Sequence, residues 1–191
     1  MGARASGAQP GRLWDRGAVF AGYVGIGMAL VIAIAFELII AVQSIVFLVA
    51  PLTGALIGGY ANQRSERWRP IRRVFANATY AGLVTGFALA VIYALLRLLF
   101  VFADTGALPT GSQLTCQTGP DCSYRRYLAD GHGAELAAVG ITDGASFGAY
   151  AVRDQLVGGG IIVILTLGGA WVAAGVRGAR RVPSPGGSSA A

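Results

Sequence analysis

The long apolar run near the start of the chain is the feature that most limits its fold. From Gly17 to Ala61 the only formally charged side chain is Glu37. A membrane-spanning helix needs about 20 predominantly apolar residues, so the run is long enough for two spans. It therefore predicts a helical hairpin whose turn lies near residue 38 or, slightly later, at Gln43 and Ser44.

Two further apolar runs follow, from Val74 to Phe102 and from Leu156 to Val176. The composition agrees with burial in a membrane, because only 13% of the residues are charged, whereas a soluble domain has about 25%. Too few polar side chains are present to cover a soluble surface. We therefore predict an all-α integral membrane protein, a four-transmembrane-helix bundle with spans at about 18–36, 39–60, 75–101 and 156–176.

The arginines predict the orientation of these spans. All fifteen basic residues are arginine, and basic side chains are enriched on the cytoplasmic side of membrane proteins. Four spans place eleven of them on one side: Arg4, Arg12, Arg16, Arg64, Arg67, Arg69, Arg72, Arg73, Arg177, Arg180 and Arg181. We therefore predict cytoplasmic termini, with tails at 1–17 and 177–191, the latter disordered. The 103–155 loop, which is more acidic than basic, is then extracytoplasmic.

The same pattern indicates the surroundings of the chain. Basic charge can signal nucleic-acid binding, but here the arginines flank apolar spans, where topology alone places them. The sequence therefore predicts no nucleic-acid partner. We predict a multi-pass protein of a bacterial plasma membrane, with the lipid bilayer as its main contact.

Small residues at regular spacing predict where the helices pack. The third span carries one at every fourth position: Ala78, Gly82, Gly86, Ala90 and Ala94. The second span carries Gly54 and Gly58. Small side chains let helix backbones approach closely in lipid. Two interpretations remain open, namely contacts inside one bundle, or contacts with a second copy or a partner membrane protein.

The outer loop contains both cysteines, in the stretch CQTGPDC. The Gly-Pro turn lets the chain fold back, and an extracytoplasmic compartment permits disulfides, so we predict a bridge between Cys116 and Cys122. A redox-active pair usually has Cys-x-x-Cys spacing, which is absent. A metal site needs more ligands than these two cysteines and His132 supply. The bridge is therefore predicted to be structural.

Two charges, Glu37 and Arg97, fall within the apolar spans at similar depth near their outer ends. Charges in a membrane tend to pair or to face cavities, and Arg97 continues the small-residue stripe of the third span at helical spacing. We hypothesise an ion pair between them. The alternatives are that each side chain extends separately to the headgroups, or that Arg97 pairs with Asp104 or Asp154.

Familiar catalytic signatures are missing from the sequence. It has no Walker loop, dinucleotide fingerprint, His-Glu-x-x-His or Gly-x-Ser-x-Gly motif, and its one histidine, His132, cannot supply bis-histidine haem ligation. We predict no catalytic residue, no metal and no cofactor. The leading expectation is a non-enzymatic scaffold or accessory subunit. A small oligomeric transporter or channel and a membrane-embedded enzyme acting on lipid are the alternatives.

Overall fold

A computed structural model of the chain describes residues 14–36, 45–63, 70–108 and 111–179. Within these ranges the chain is helical and contains no strand, and four of its helices are long and apolar enough to span a membrane. The prediction of an all-helical chain with four membrane-length helices is therefore confirmed. The helices are α1 (Arg16–Ile34), α2 (Ile45–Gln63), α3 (Ile71–Phe102), α4 (Pro120–Ala129), α5 (Gly133–Ala138) and α6 (Gly144–Ala179).

The last long helix differs most from its predicted span. α6 begins at Gly144, well before the predicted start at 156. The Asp143 carboxylate accepts the backbone N–H of Ser146 at 2.7 Å, and the Ser146 hydroxyl accepts the backbone N–H of Asp143 at 3.1 Å, an N-terminal cap of the usual kind. The polar residues 153–155 lie within this helix. They come before the apolar run from which the span was predicted, and a polar side chain ends such a run without ending the helix.

The other described helix ends lie closer to their predicted positions. α1 begins at Arg16, inside the predicted N-terminal tail, and α6 includes residues 177–179, which were assigned to the C-terminal tail. The rest of that tail, 180–191, lies outside the described residues. So does the predicted hairpin turn, which falls within 37–44.

The four long helices form a bundle with α2 and α3 at its centre. These two helices contact each other, and both also contact α1 and α6. α1 and α6 therefore lie on opposite sides of the α2–α3 pair. α1 and α3 run in the same direction, because Trp14 stacks on Tyr80 and Gly25 faces Thr85 further along both helices.

Glycines bring the backbones of α2 and α6 into direct contact. A Cβ atom at Gly54 would overlap the carbonyl oxygen of Thr166, and one at Gly169 would overlap the carbonyl oxygen of Pro51. A Cβ atom at Gly58 would lie 2.8 Å from the Cα of the residue that faces it on α6. Side chains larger than hydrogen therefore do not fit at these positions without moving a helix.

The small-residue stripe of α3 also packs inside the chain. A Cβ atom at Gly82 would lie 2.8 Å from the Cβ of Ala170, and one at Gly86 would lie 3.1 Å from the Cβ of Thr166. The remaining members of the stripe are buried or half-buried: Ala78, Ala90 and Ala94. A second copy of the chain would have to displace α6 to use this stripe.

Side-chain amides join three helices at one end of the bundle. Asn77 on α3 donates to the Asp15 carboxylate at 2.8 Å and accepts the Asp15 backbone N–H at 3.1 Å. Asn62 on α2 donates to the carbonyl oxygen of Val74 at 3.2 Å. These contacts fix the starts of α1 and α3 and the end of α2 at the end opposite the 103–143 segment.

Candidate functional site

Within the segment 103–143, the described residues 103–108 and 111–143 fold over the opposite end of the bundle, and we call them the cap. Within its described residues, Cys116 and Cys122 form the predicted disulfide, with their Cα atoms 5.0 Å apart. Gly106 lies against both sulfur atoms and has a φ of +76°, so a side chain there would be strained as well as blocked. The disulfide thus joins α4 to the loop that precedes it.

The second half of the cap packs on the start of α6. Leu136 and Ile141 form a buried apolar cluster with Phe147 of α6, and the ring of Tyr124 packs against this cluster. The Tyr124 hydroxyl donates to the carbonyl oxygen of Thr142 at 2.9 Å. The cap is therefore held to α6 by apolar burial.

A charged contact inside the cap holds α4 to the residues that directly follow α3. The Asp104 carboxylate accepts hydrogen bonds from Arg126 Nη2 at 2.8 Å and from the backbone N–H of Gly106 at 2.8 Å. The Ser123 hydroxyl lies 3.1 Å from the same carboxylate. Burial raises the pKa of Asp104, but the hydrogen bonds from Arg126, Gly106 and Ser123 outweigh it, so the pKa lies below its ordinary value.

We expect acid to weaken this contact. Because the pKa of Asp104 is lowered in the folded cap from its ordinary value of 3.8, its ionised form stabilises the cap at pH values above 3.8. That stabilisation is lost as the pH falls through the lowered pKa. Near-ultraviolet circular dichroism of the cap tyrosines should show the transition in the wild-type chain and not in Asp104→Asn. An identical transition in both chains would contradict this assignment.

A cavity of about 1010 Å³ lies between the cap and the adjoining ends of α3 and α6. Its polar lining includes Arg97 on α3, the Asp104–Arg126 pair, and Asp154 with Gln155 on α6, and further polar residues come from the cap: Thr105, Ser123, His132 and Glu135. Leucine, valine and aromatic side chains of α3, α6 and the cap supply the apolar wall. Concave sites with an apolar lining and a few polar groups are the usual form of ligand sites.

Gln155 is a deeply buried polar residue of this wall, with 7% of its surface exposed. Its Nε2 donates to the Asp154 carboxylate at 3.2 Å, which determines which end of the amide is the oxygen. Among the described residues, Oε1 has no hydrogen-bond partner. A buried acceptor in this condition costs about 1–3 kcal/mol.

Of the two charges predicted to lie within the membrane, only Arg97 is among the described residues. The Arg97 guanidinium lies 5.8 Å from the ring centroid of Tyr93, within cation–π range, and Arg97 lines the cavity. Glu37 lies outside the described residues, so the Glu37–Arg97 ion pair stays a hypothesis. Of the alternative partners, Asp104 is bound by Arg126, while Asp154 shares the cavity wall with Arg97.

The cavity brings together groups that can bind, and its arrangement does not activate a nucleophile. His132 Nδ1 lies 3.1 Å from the Glu135 carboxylate, and both side chains are largely exposed at the cavity edge. The Ser123 hydroxyl contacts the Asp104 carboxylate and the carbonyl oxygen of Val101. The described residues show no hydrogen bond between this serine and the histidine, which a serine nucleophile would need.

Sequence reasoning missed most of this site. Asp104, Arg126 and Gln155 come from three separate elements, and nothing in their spacing indicates that they meet. One signal in the sequence could have indicated the site. Residues 153–155 are polar and come directly before an apolar run, and this order places polar groups at the membrane boundary.

Comparisons of the chain with protein-family models, with curated proteins and with solved structures gave no match. The function of the site therefore has to be inferred from its own geometry.

Proposed function

We propose that the chain is a non-enzymatic accessory or scaffold protein of the plasma membrane, in which a closed helical bundle supports a capped site on the outer face. The observation that carries this proposal is the direct backbone contact of α6 with α2 at Gly54 and Gly169. Helices in such close contact leave no space for a solute between them, so the site at the cap end is where a partner would be recognised.

Two of the three buried threonines among the described residues support a closed interior, while the third, Thr85, faces Gly25 of α1 and its hydroxyl has no hydrogen-bond partner among those residues. Thr53 donates to the carbonyl oxygen of Val49 at 2.9 Å, and Thr166 donates to that of Ile162 at 2.7 Å. Both hydroxyls therefore bond within their own helix. A transport path needs polar groups that face a shared cavity at several depths, whereas the charged groups of the described residues concentrate at the cap end and at the opposite end of the long helices.

The orientation in this proposal has both termini in the cytoplasm and the cap outside. The distribution of arginines favours it. The Cys116–Cys122 disulfide agrees with it, because structural disulfides persist mainly in oxidising compartments.

An enzyme acting on lipid is the second candidate, and the partly apolar cavity beside the membrane helices favours it. The geometry of Ser123 and His132 argues against it, because their hydrogen bonds are made to other groups. The oligomeric transporter has no comparable support among the described residues.

Purification from native membranes with partner identification tests the proposal. We expect a stoichiometric partner that is retained by Arg125→Ala, whose contact with Asp121 is exposed, and lost with Arg126→Ala, which removes the contact between α4 and Asp104 inside the cap. Purified wild-type chain in liposomes should conduct no ions or small solutes. Solute flux without a partner would contradict the proposal and favour transport.

A further inference from the structure

We propose that the capped cavity binds one membrane amphiphile whose head group donates hydrogen bonds, through a hydroxyl or an ammonium N–H. This inference goes beyond the proposed function, because it does not depend on whether a partner protein exists.

The head-group chemistry follows from the α6 side of the cavity. Gln155 is more than nine-tenths buried, and its Oε1 has no partner among the described residues. Its neighbour Asp154 adds a carboxylate to the same wall. Both groups accept hydrogen bonds, so a ligand that supplies N–H or O–H donors satisfies the Asp154 carboxylate directly, and satisfies Oε1 once the Gln155 side chain turns towards the cavity.

The neighbouring charges do not change this requirement. Two cations line the cavity: Arg126 is already bound to the Asp104 carboxylate, and Arg97 lies on α3 beside the ring of Tyr93. An anionic group next to Asp154 and Gln155 would offer no hydrogen-bond donor to either acceptor, and the Asp154 carboxylate would repel it. A donor head group is therefore the better match on this side.

The apolar part of the ligand follows from α3. Leu99 and Phe100 line the cavity, yet 60% and 55% of their surfaces are exposed. Because α3 is a membrane-length apolar helix, its exposed apolar side chains face lipid. The apolar wall thus continues from the cavity onto the lipid-facing side of α3, where an acyl chain can lie while the head group stays inside.

Two phospholipids with the same phosphate and acyl chains isolate the donor. Phosphatidylethanolamine carries an ammonium with N–H groups, whereas the quaternary ammonium of phosphatidylcholine has none. Native mass spectrometry of the full chain, released from nanodiscs of either lipid, should show retention of one phosphatidylethanolamine at least about tenfold above phosphatidylcholine, the effect of one hydrogen bond to a charged group. Retention of phosphatidylglycerol above phosphatidylcholine that is lost in Gln155→Met would instead identify a hydroxyl as the donor, because the variant leaves the attraction of this anionic lipid to Arg97 and Arg126 unchanged.

Variants at one position complete the test. Gln155→Met keeps the length of the side chain and removes the acceptor, so it should abolish the preference. Gln155→Glu keeps an acceptor and should preserve the preference, although it also replaces the donor to Asp154 with a carboxylate. An unfolding midpoint of Gln155→Met equal to that of the wild-type chain would exclude a folding defect in the methionine variant. Equal retention of the three lipids by the wild-type chain, or an unchanged preference in Gln155→Met, would overturn the proposal.

Discussion

Replacing Gly169 with alanine is expected to destabilise the bundle by about 1–3 kcal/mol, the usual cost of overfilling a packed interior. The new Cβ would overlap the carbonyl oxygen of Pro51. A backbone atom cannot move aside as a flexible side chain can, so α2 and α6 must separate. The neighbouring Gly168 has no atom within 4 Å of an added Cβ, which makes Gly168→Ala the matched control.

Unfolding of both variants by denaturing detergent in mixed micelles measures the difference. Gly168→Ala should equal the wild-type chain or exceed its stability by up to about 1 kcal/mol, because alanine favours a helix over glycine. Equal stability of Gly168→Ala and Gly169→Ala would mean that α2 and α6 are not in backbone contact, and the closed bundle would be wrong.

Replacing Arg126 with alanine should free α4 from the cap residues that directly follow α3. The Asp104 side chain is only 11% exposed, so removal of its cation leaves a largely buried carboxylate with fewer donors. A hydrogen bond to a charged group contributes about 1.5–3 kcal/mol, and we expect a loss of that size in the local stability of the cap. Arg125→Ala is the control, because the Arg125 side chain is 53% exposed and exposed ion pairs contribute little.

Hydrogen exchange followed by mass spectrometry can locate the effect. The amides of α4 (Pro120–Ala129) should exchange faster in Arg126→Ala than in Arg125→Ala, while those of the α2–α3 pair should not change. Equal exchange of α4 in the two variants would show that the Asp104–Arg126 contact does not hold the cap.

The membrane-length helices could be predicted because hydropathy reports directly on lipid exposure. The start of α6 could not be predicted in the same way, since Asp143 and Ser146 determine where the helix begins and the apolar run begins later. Small residues at regular spacing identified packing surfaces on α2 and α3. They could not identify the partner, because spacing along one helix does not reveal which helix faces it. In the structure that partner is α6.

The site was less accessible to sequence reasoning. The disulfide could be predicted because its cysteines are close in sequence and flank a turn. The cavity depends on Asp104, Arg126 and Gln155, which meet only because the cap folds back over α3 and α6. A periodic pattern of residues along one helix cannot predict such a contact. The unpaired acceptor of Gln155 likewise becomes visible only when its neighbours are in place.

Photocrosslinking in native membranes can show directly whether the capped cavity is the place where this protein engages another molecule. A photoreactive aromatic residue would replace Tyr150, which lines the cavity, or Tyr23, an exposed tyrosine on α1 that lies away from it. Position 150 should give one discrete product, a lipid or a protein of defined mass, while position 23 should give only a mixture of bulk lipids. The same mixture from both positions would contradict a functional site at the cap end of the bundle.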